Sequence, residues 1–194
     1  GQDLRHRGLA PRTELIYGSG VTVGDNLIGI ASNGLHSNGY SLVRKLLLEQ
    51  YKMDLSKRVE EIGAVLGEEL LRPTRIYVKT ILNLTRDFNI GGIAHITGGG
   101  ITGNLPRMIP KGCKAIIRRK TWDIPPIFSF IKEKGKISEE EMLRTFNNGI
   151  GMILIVRPKE VEDLLARLHS LGEKAFIIGE VRKTERENET IEYV

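Results

Sequence analysis

Short apolar runs, punctuated by clusters of glycine and small polar residues, set the rhythm of this chain. Asn26 to Ala31, NLIGIA, has strand length and stops at SNGLHSNG, a set of turn formers that suits neither helix nor strand. Leu42, Val43, Leu46, Leu47 and Tyr51 then recur at helical spacing, which predicts a helix opening from that loop. Residues 58 to 71 read as helical too. After Pro73, the positions Ile76, Tyr77, Val78, Ile81, Leu82 and Phe88 sketch a further helix.

The second half repeats the alternation. Residues 91 to 97, GGIAHIT, read as a buried strand running into Gly98, Gly99 and Gly100, after which ITGNLPRMI fits a short helix. Cys113 to Arg118 reads as a strand, Pro125 and Pro126 open a helix, and Ser138 with Glu141 forms a capping box for a helix over 138 to 145. Ile150 to Val156 is a strand, Lys159 to Leu171 an amphipathic helix closed by Gly172, and Ala175 to Val181 a strand, so the chain closes on a β-α-β unit. Strands and helices mix without strict alternation. The expected fold class is therefore α/β (mixed α+β), a mixed β-sheet with packed helices. Residues 1 to 20 lack sustained periodicity and read as a linker or the remnant of a preceding domain, leaving one domain over 21 to 194.

Composition narrows the classes. With 194 residues and 40% hydrophobic content the chain can bury one full core. A formal charge of +5 without long basic blocks is compatible with phosphate-bearing small molecules; the densest stretch, Arg118, Arg119 and Lys120, has no interleaved aromatics for base stacking, so no nucleic-acid partner is expected. Cys113 is the sole cysteine, which excludes a disulfide framework and suits a reducing cytoplasm. No apolar stretch is long enough for a membrane span, and the first residues lack a signal-peptide core.

Three segments carry candidate chemistry. His36, Ser37 and Asn38 place an imidazole, a hydroxyl and an amide side by side where a helix starts, a setting for anion binding or, alternatively, for capping alone. Thr97, Gly98, Gly99 and Gly100 let backbone approach a ligand without an intervening Cβ, with His95 on the same strand face as Thr97; a plain tight turn is the other reading. Arg144, Thr145 and Asn147 put a cation, a hydroxyl and an amide at a helix-to-strand corner, where Asn148-Gly149 also fits a simple turn. His169 lies on the polar side of its helix. No catalytic-triad or HExxH spacing occurs, and Asp25, Asp54, Asp87 and Asp123 are scattered, so no metal ligands are assigned.

Taken together, SNGLHSNGYSLVRK (32 to 45), RPTRIYVK (72 to 79), IAHITGGG (93 to 100) and RTFNNGIGM (144 to 152) resemble, in order, the signature segments of the aminoimidazole ribonucleotide synthetase family. The similarity covers roughly residues 14 to 194 and points to that family's C-terminal domain. The resemblance implies a purine-biosynthesis ligase that uses ATP and Mg2+ to convert formylglycinamidine ribonucleotide to aminoimidazole ribonucleotide, ADP and phosphate. It implies a homodimer whose N-terminal domain holds most of the nucleotide and the acidic metal ligands, none of which matches a residue here, so the isolated domain is expected to be inactive.

By the same resemblance His36 is the catalytic candidate, for proton transfer or oxyanion stabilisation. Ser37, Asn38, Thr97, Gly98, Gly99 and Gly100 would bind substrate or phosphate, and His95, Arg144, Thr145 and Asn147 are secondary candidates. The alternatives are another ATP-dependent enzyme of the same two-domain superfamily, such as selenophosphate synthetase or thiamine-monophosphate kinase, and a non-catalytic binding module that lacks the nucleotide domain.

Overall fold

The computed structural model describes residues 20–194. The expected linker at 1 to 20 lies, Gly20 apart, outside the described residues. The core is a six-stranded sheet made of β1 (Asn26–Ala31), β4 (Ile90–His95), β5 (Cys113–Ile117), β6 (Ile150–Val156), β7 (Ala175–Lys183) and β8 (Ile191–Tyr193), in the order β4-β6-β1-β7-β5-β8. All pairings are antiparallel except β5 with β8, so the sheet is mixed, as the sequence implies. A separate two-stranded ribbon joins β2 (Arg58–Val59) to β3 (Ala64–Val65).

Alternation along each strand fills both faces. On β1 and β6, Leu27, Ile153 and Ile155 point to one side, where they pack with Ile101, Leu105 and Trp122. Ile28, Ile30, Met152, Leu154 and Val156 point to the other. That second face is covered by α3 (Val78–Asp87) and α7 (Val161–Ser170), through Leu84, Leu164 and Leu168, spaced one helical turn apart on α7. A third apolar cluster lies under α1 (Tyr40–Val43), α5 (Pro126–Gly135) and α6 (Glu139–Thr145), centred on Phe128 and Phe146. Two further short helices, α2 (Leu66–Leu70) and α4 (Gly100–Asn104), complete the set.

Several expectations are corrected. Residues 58 to 71 are not one helix: Gly63, at φ 66°, turns the chain so that β2 and β3 pair and bury Val59 and Ile62, and only α2 is helical. The helix after the first loop continues from α1 as a π-helix over Arg44–Gln50, with the Tyr51 N–H reaching the Leu46 carbonyl. Beyond α4, Pro106–Met108 is a separate 3-10 turn. The last β-α-β unit exists, but β6 and β7 are not neighbours. Both run antiparallel to β1, which lies between them. Strand β8 has no counterpart in the sequence reading. Ser138 caps α6, its hydroxyl accepting from the Glu141 N–H at 3.1 Å, whereas the Glu141 carboxylate accepts from the Thr145 hydroxyl at 3.0 Å instead of returning to the cap.

Candidate active site

The end of β1, the end of β4 and the start of β6 lie together at one end of the sheet: Ala31 pairs with Ile150, and His95 with Met152. The loops that leave β1 and β4 there are two of the three segments the sequence singles out, and the third, at Arg144 to Asn147, leads into β6. Each of the two loops is held by one buried asparagine.

Asn147, fully buried, holds the first loop. Its Nδ2 donates to the carbonyls of Gly34 (2.9 Å) and Leu35 (3.1 Å) and to Asn38 Oδ1 (2.9 Å), while its Oδ1 accepts from the Ser32 hydroxyl and the Gly149 N–H, both at 2.8 Å. Such saturation of both ends of an amide locks a loop that would otherwise open, because His36 and Ser37 both sit at positive φ (51° and 64°). Consecutive side chains in that region store about 1–3 kcal/mol of strain each. Asn38 is drawn inward, its Nδ2 also reaching the His36 carbonyl at 3.4 Å. Gly39, at φ 61°, is the helix cap, so neither Ser37 nor Asn38 caps α1. Ser37 remains exposed.

Asn104 does the same for the glycine loop. Its Oδ1 accepts from the Thr97 hydroxyl at 3.0 Å, and its Nδ2 contacts the carbonyls of Gly100 (2.8 Å), Thr97 (3.2 Å) and Gly98 (3.4 Å). Thr97 and Gly98 stay exposed, and the N–H groups of Gly98 and Gly99 have no hydrogen-bond partner among the described residues.

The two loops meet on Phe146. A Cβ on Gly39 would sit 2.5 Å from the Phe146 ring, and a Cβ on Gly100 would sit 2.5 Å from the Phe146 carbonyl oxygen. Phe146 thus touches both loops, with the Leu143 carbonyl nearer still to Gly100, and its neighbour Asn147 clamps the first. Sequence reasoning names Asn147 but misses Asn104 and Phe146, whose only local signals are a polar residue in a short helix and an aromatic before a turn.

His36 is 7% exposed. Its Nε2 accepts two backbone N–H groups, from Asn33 at 2.8 Å and Arg75 at 3.2 Å, which places the proton of the neutral ring on Nδ1, where no partner is found among the described residues. Burial, reinforced by the charges of His95 and Arg75, lowers its pKa from 6.5 to about 4. The ring lies 6.3 Å from Tyr77, which in turn meets the exposed His95 edge-on at 6.0 Å. Burial and the nearby Glu173 carboxylate push the Tyr77 phenol well above its usual range, so it stays protonated and donates to the Ala31 carbonyl at 2.8 Å. Arg75 is fixed by Glu173, at 2.9 Å, and by the Gly172 carbonyl, at 3.1 Å.

Arg144 and Thr145 are spent on their own helix. Arg144 pairs with Glu140 at 2.7 Å and Glu141 at 3.8 Å, and lines a hollow of about 430 Å³ with Thr102, Leu143 and Tyr193. Arg118 and Arg119 likewise meet Glu180 and Glu139. Cys113 is half-buried against the core, and His169 is exposed. Among the described residues no three His, Cys, Asp or Glu side chains cluster as metal ligands, and no helix is long and apolar enough to cross a membrane.

The described residues thus form an α/β domain that presents two braced, glycine-containing loops at one end of its sheet. The chain belongs to the AIR synthase related protein family: that family's C-terminal domain model matches residues 22–192. It is 58% identical over 94% of its length to a phosphoribosylformylglycinamidine cyclo-ligase of Syntrophotalea carbinolica, covering 52% of that protein, and 54% identical over 96% to one of Syntrophus aciditrophicus, covering 54%. The chain therefore spans about half the length of the curated relatives it matches. Its fold is shared with thiamine-monophosphate kinase of Stenotrophomonas maltophilia (TM-score 0.63, 16% identity, 94% of this chain and 54% of that one) and with the Escherichia coli hydrogenase maturation protein HypE (0.55, 22%, 91% and 48%).

Proposed function

We propose that this chain forms the substrate-side wall of a phosphoribosylformylglycinamidine cyclo-ligase active site, completed by an N-terminal half that carries the metal ligands and most of the nucleotide contacts. The observation that carries the reading is the junction at Phe146–Asn147, which holds two ligand-accessible loops at one sheet end while consuming their inward-facing polar groups.

The reaction transfers the γ-phosphoryl group of ATP to the formyl oxygen of formylglycinamidine ribonucleotide. An amidine nitrogen then attacks the formyl carbon; the new C–N bond closes the ring, and the C–O bond breaks with phosphate as leaving group. An amide oxygen leaves poorly until phosphorylated, so the protein's task is to position the nucleophile and balance phosphate charge. The free N–H groups of Gly98 and Gly99 and the exposed Thr97 and Ser37 suit phosphate oxygens. Mg2+ would neutralise charge on the phosphates, and its acidic ligands are assigned to the other half.

His36 is assigned a positioning role. A ring whose Nε2 lone pair is taken by two backbone N–H groups, and which is neutral down to about pH 4, is ill suited to carrying protons at pH 7. Joining this chain to the N-terminal half of the Syntrophotalea carbinolica relative and assaying ring closure tests the reading: turnover with ATP and Mg2+ is expected, and a folded, inactive protein would shift the assignment to a non-catalytic binding module. A cytoplasmic, homodimeric full-length protein completes the proposal.

A further inference from the structure

We propose that the exposed apolar surface of Ile76, Val78 and Leu82 seats the N-terminal half of the full-length protein, an inference that rests on the two-half reading above. Ile76 is 80% exposed, Val78 62% and Leu82 59%, the largest run of exposed aliphatics close in sequence among the described residues.

Their exposure is imposed by the fold. Arg75 is anchored by Glu173 and by its N–H on His36, and Tyr77 by its hydroxyl on Ala31 and its ring beside His36, so Ile76 between them is driven outward. On α3, Thr80 and Leu84 face the sheet, and Val78 and Leu82, two positions earlier in each case, lie roughly 200° round the helix on the solvent side. Other exposed aliphatics, such as Val23, Ile124 and Ile177, stand singly.

Two features select the occupant. The chain spans only 52% of the Syntrophotalea carbinolica relative, so a body of similar size is left to be placed, and the family match is to a C-terminal domain. The surface also adjoins the site loop: Asn33 Nδ2 donates to the Pro73 carbonyl at 3.2 Å, and the Arg75 N–H reaches His36 Nε2 at 3.2 Å.

The test is thiol accessibility in a Cys113→Ala background, with Leu82→Cys as the probe and Ile177→Cys, 45% exposed on β7, as the control. Each is labelled with a maleimide in the chain alone and in the chain joined to the relative's N-terminal half. Leu82→Cys is expected to label about tenfold or more slowly in the joined protein, as for a site reached only through local opening, with Ile177→Cys unchanged. Equal labelling of Leu82→Cys in both proteins overturns the proposal, as does protection already present in the chain alone and rising with its concentration, which would assign the face to a second copy. Ring closure assayed on the same joined protein separates the two ideas: turnover with Leu82→Cys still reactive defeats only the surface, and protection without turnover defeats only the catalytic reading.

Discussion

Asn147 and Asn38, 109 residues apart in sequence, are joined amide to amide at 2.9 Å, with the Asn147 Nδ2 donating to the Asn38 Oδ1 in a buried setting. This bond ties the corner before β6 to the loop after β1, and so couples two of the segments from which a site would be built.

Removing that coupling should be expensive. Asn147→Ala leaves the Gly34 carbonyl and the Asn38 amide oxygen without the Asn147 donor, and the Leu35 carbonyl with the Asn38 N–H alone, a loss of about 2–4 kcal/mol in unfolding free energy. Asn147→Asp should be at least as damaging, since it sets a carboxylate against three oxygens. Denaturant unfolding of the two variants checks both statements; wild-type stability in Asn147→Ala would show that the loop is held by other contacts.

The glycine loop separates ligand access from packing. A Cβ on Gly98 meets nothing within 4 Å, so Gly98→Ala should leave stability within about 0.5 kcal/mol while obstructing a phosphate at the neighbouring N–H groups and raising KM in the joined protein. Gly100→Ala should destabilise by about 2 kcal/mol or more, because it combines φ +63° with a collision on the Leu143 and Phe146 carbonyls. Thermal unfolding and steady-state kinetics on the pair distinguish a ligand-facing glycine from a structural one.

His36 makes folding pH-dependent. Its folded pKa, about 4, lies below the unfolded 6.5, so below pH 6.5 the unfolded chain binds the extra proton. The stabilisation from the neutral ring is therefore fully present above about pH 6.5 and is lost progressively as pH falls toward 4. A His36→Gln variant should lose much of that slope, and 15N NMR of the imidazole should report a proton on Nδ1 at pH 7. An Nε2–H tautomer would contradict the hydrogen bonds from Asn33 and Arg75.

Much of this arrangement is legible in the chain itself, for local reasons. The runs Asn26 to Ala31 and Ile150 to Val156 have strand length and apolar density, and the glycine and asparagine clusters beside them announce turns wherever they are placed. What local pattern cannot supply is partnership. The β2–β3 ribbon reads as helix because its apolar spacing fits either period, and the pairing of Arg58 with Val65 decides it. Strand β8 is three residues long and is held by its parallel neighbour β5 and by the ion pairs of Lys114 with Glu189 and Glu192. Asn38 looks like a ligand-facing amide until its partner 109 residues away is known, and Arg144 looks available until Glu140 and Glu141 are seen beside it.

The most direct test of the central claim is ring closure with ATP, Mg2+ and formylglycinamidine ribonucleotide, measured on this chain alone and on the chain joined to the N-terminal half of its Syntrophotalea carbinolica relative. Turnover only in the joined protein, weakened by Gly98→Ala, is the predicted result; turnover by the chain alone, or none by a joined protein shown to be folded, would contradict it.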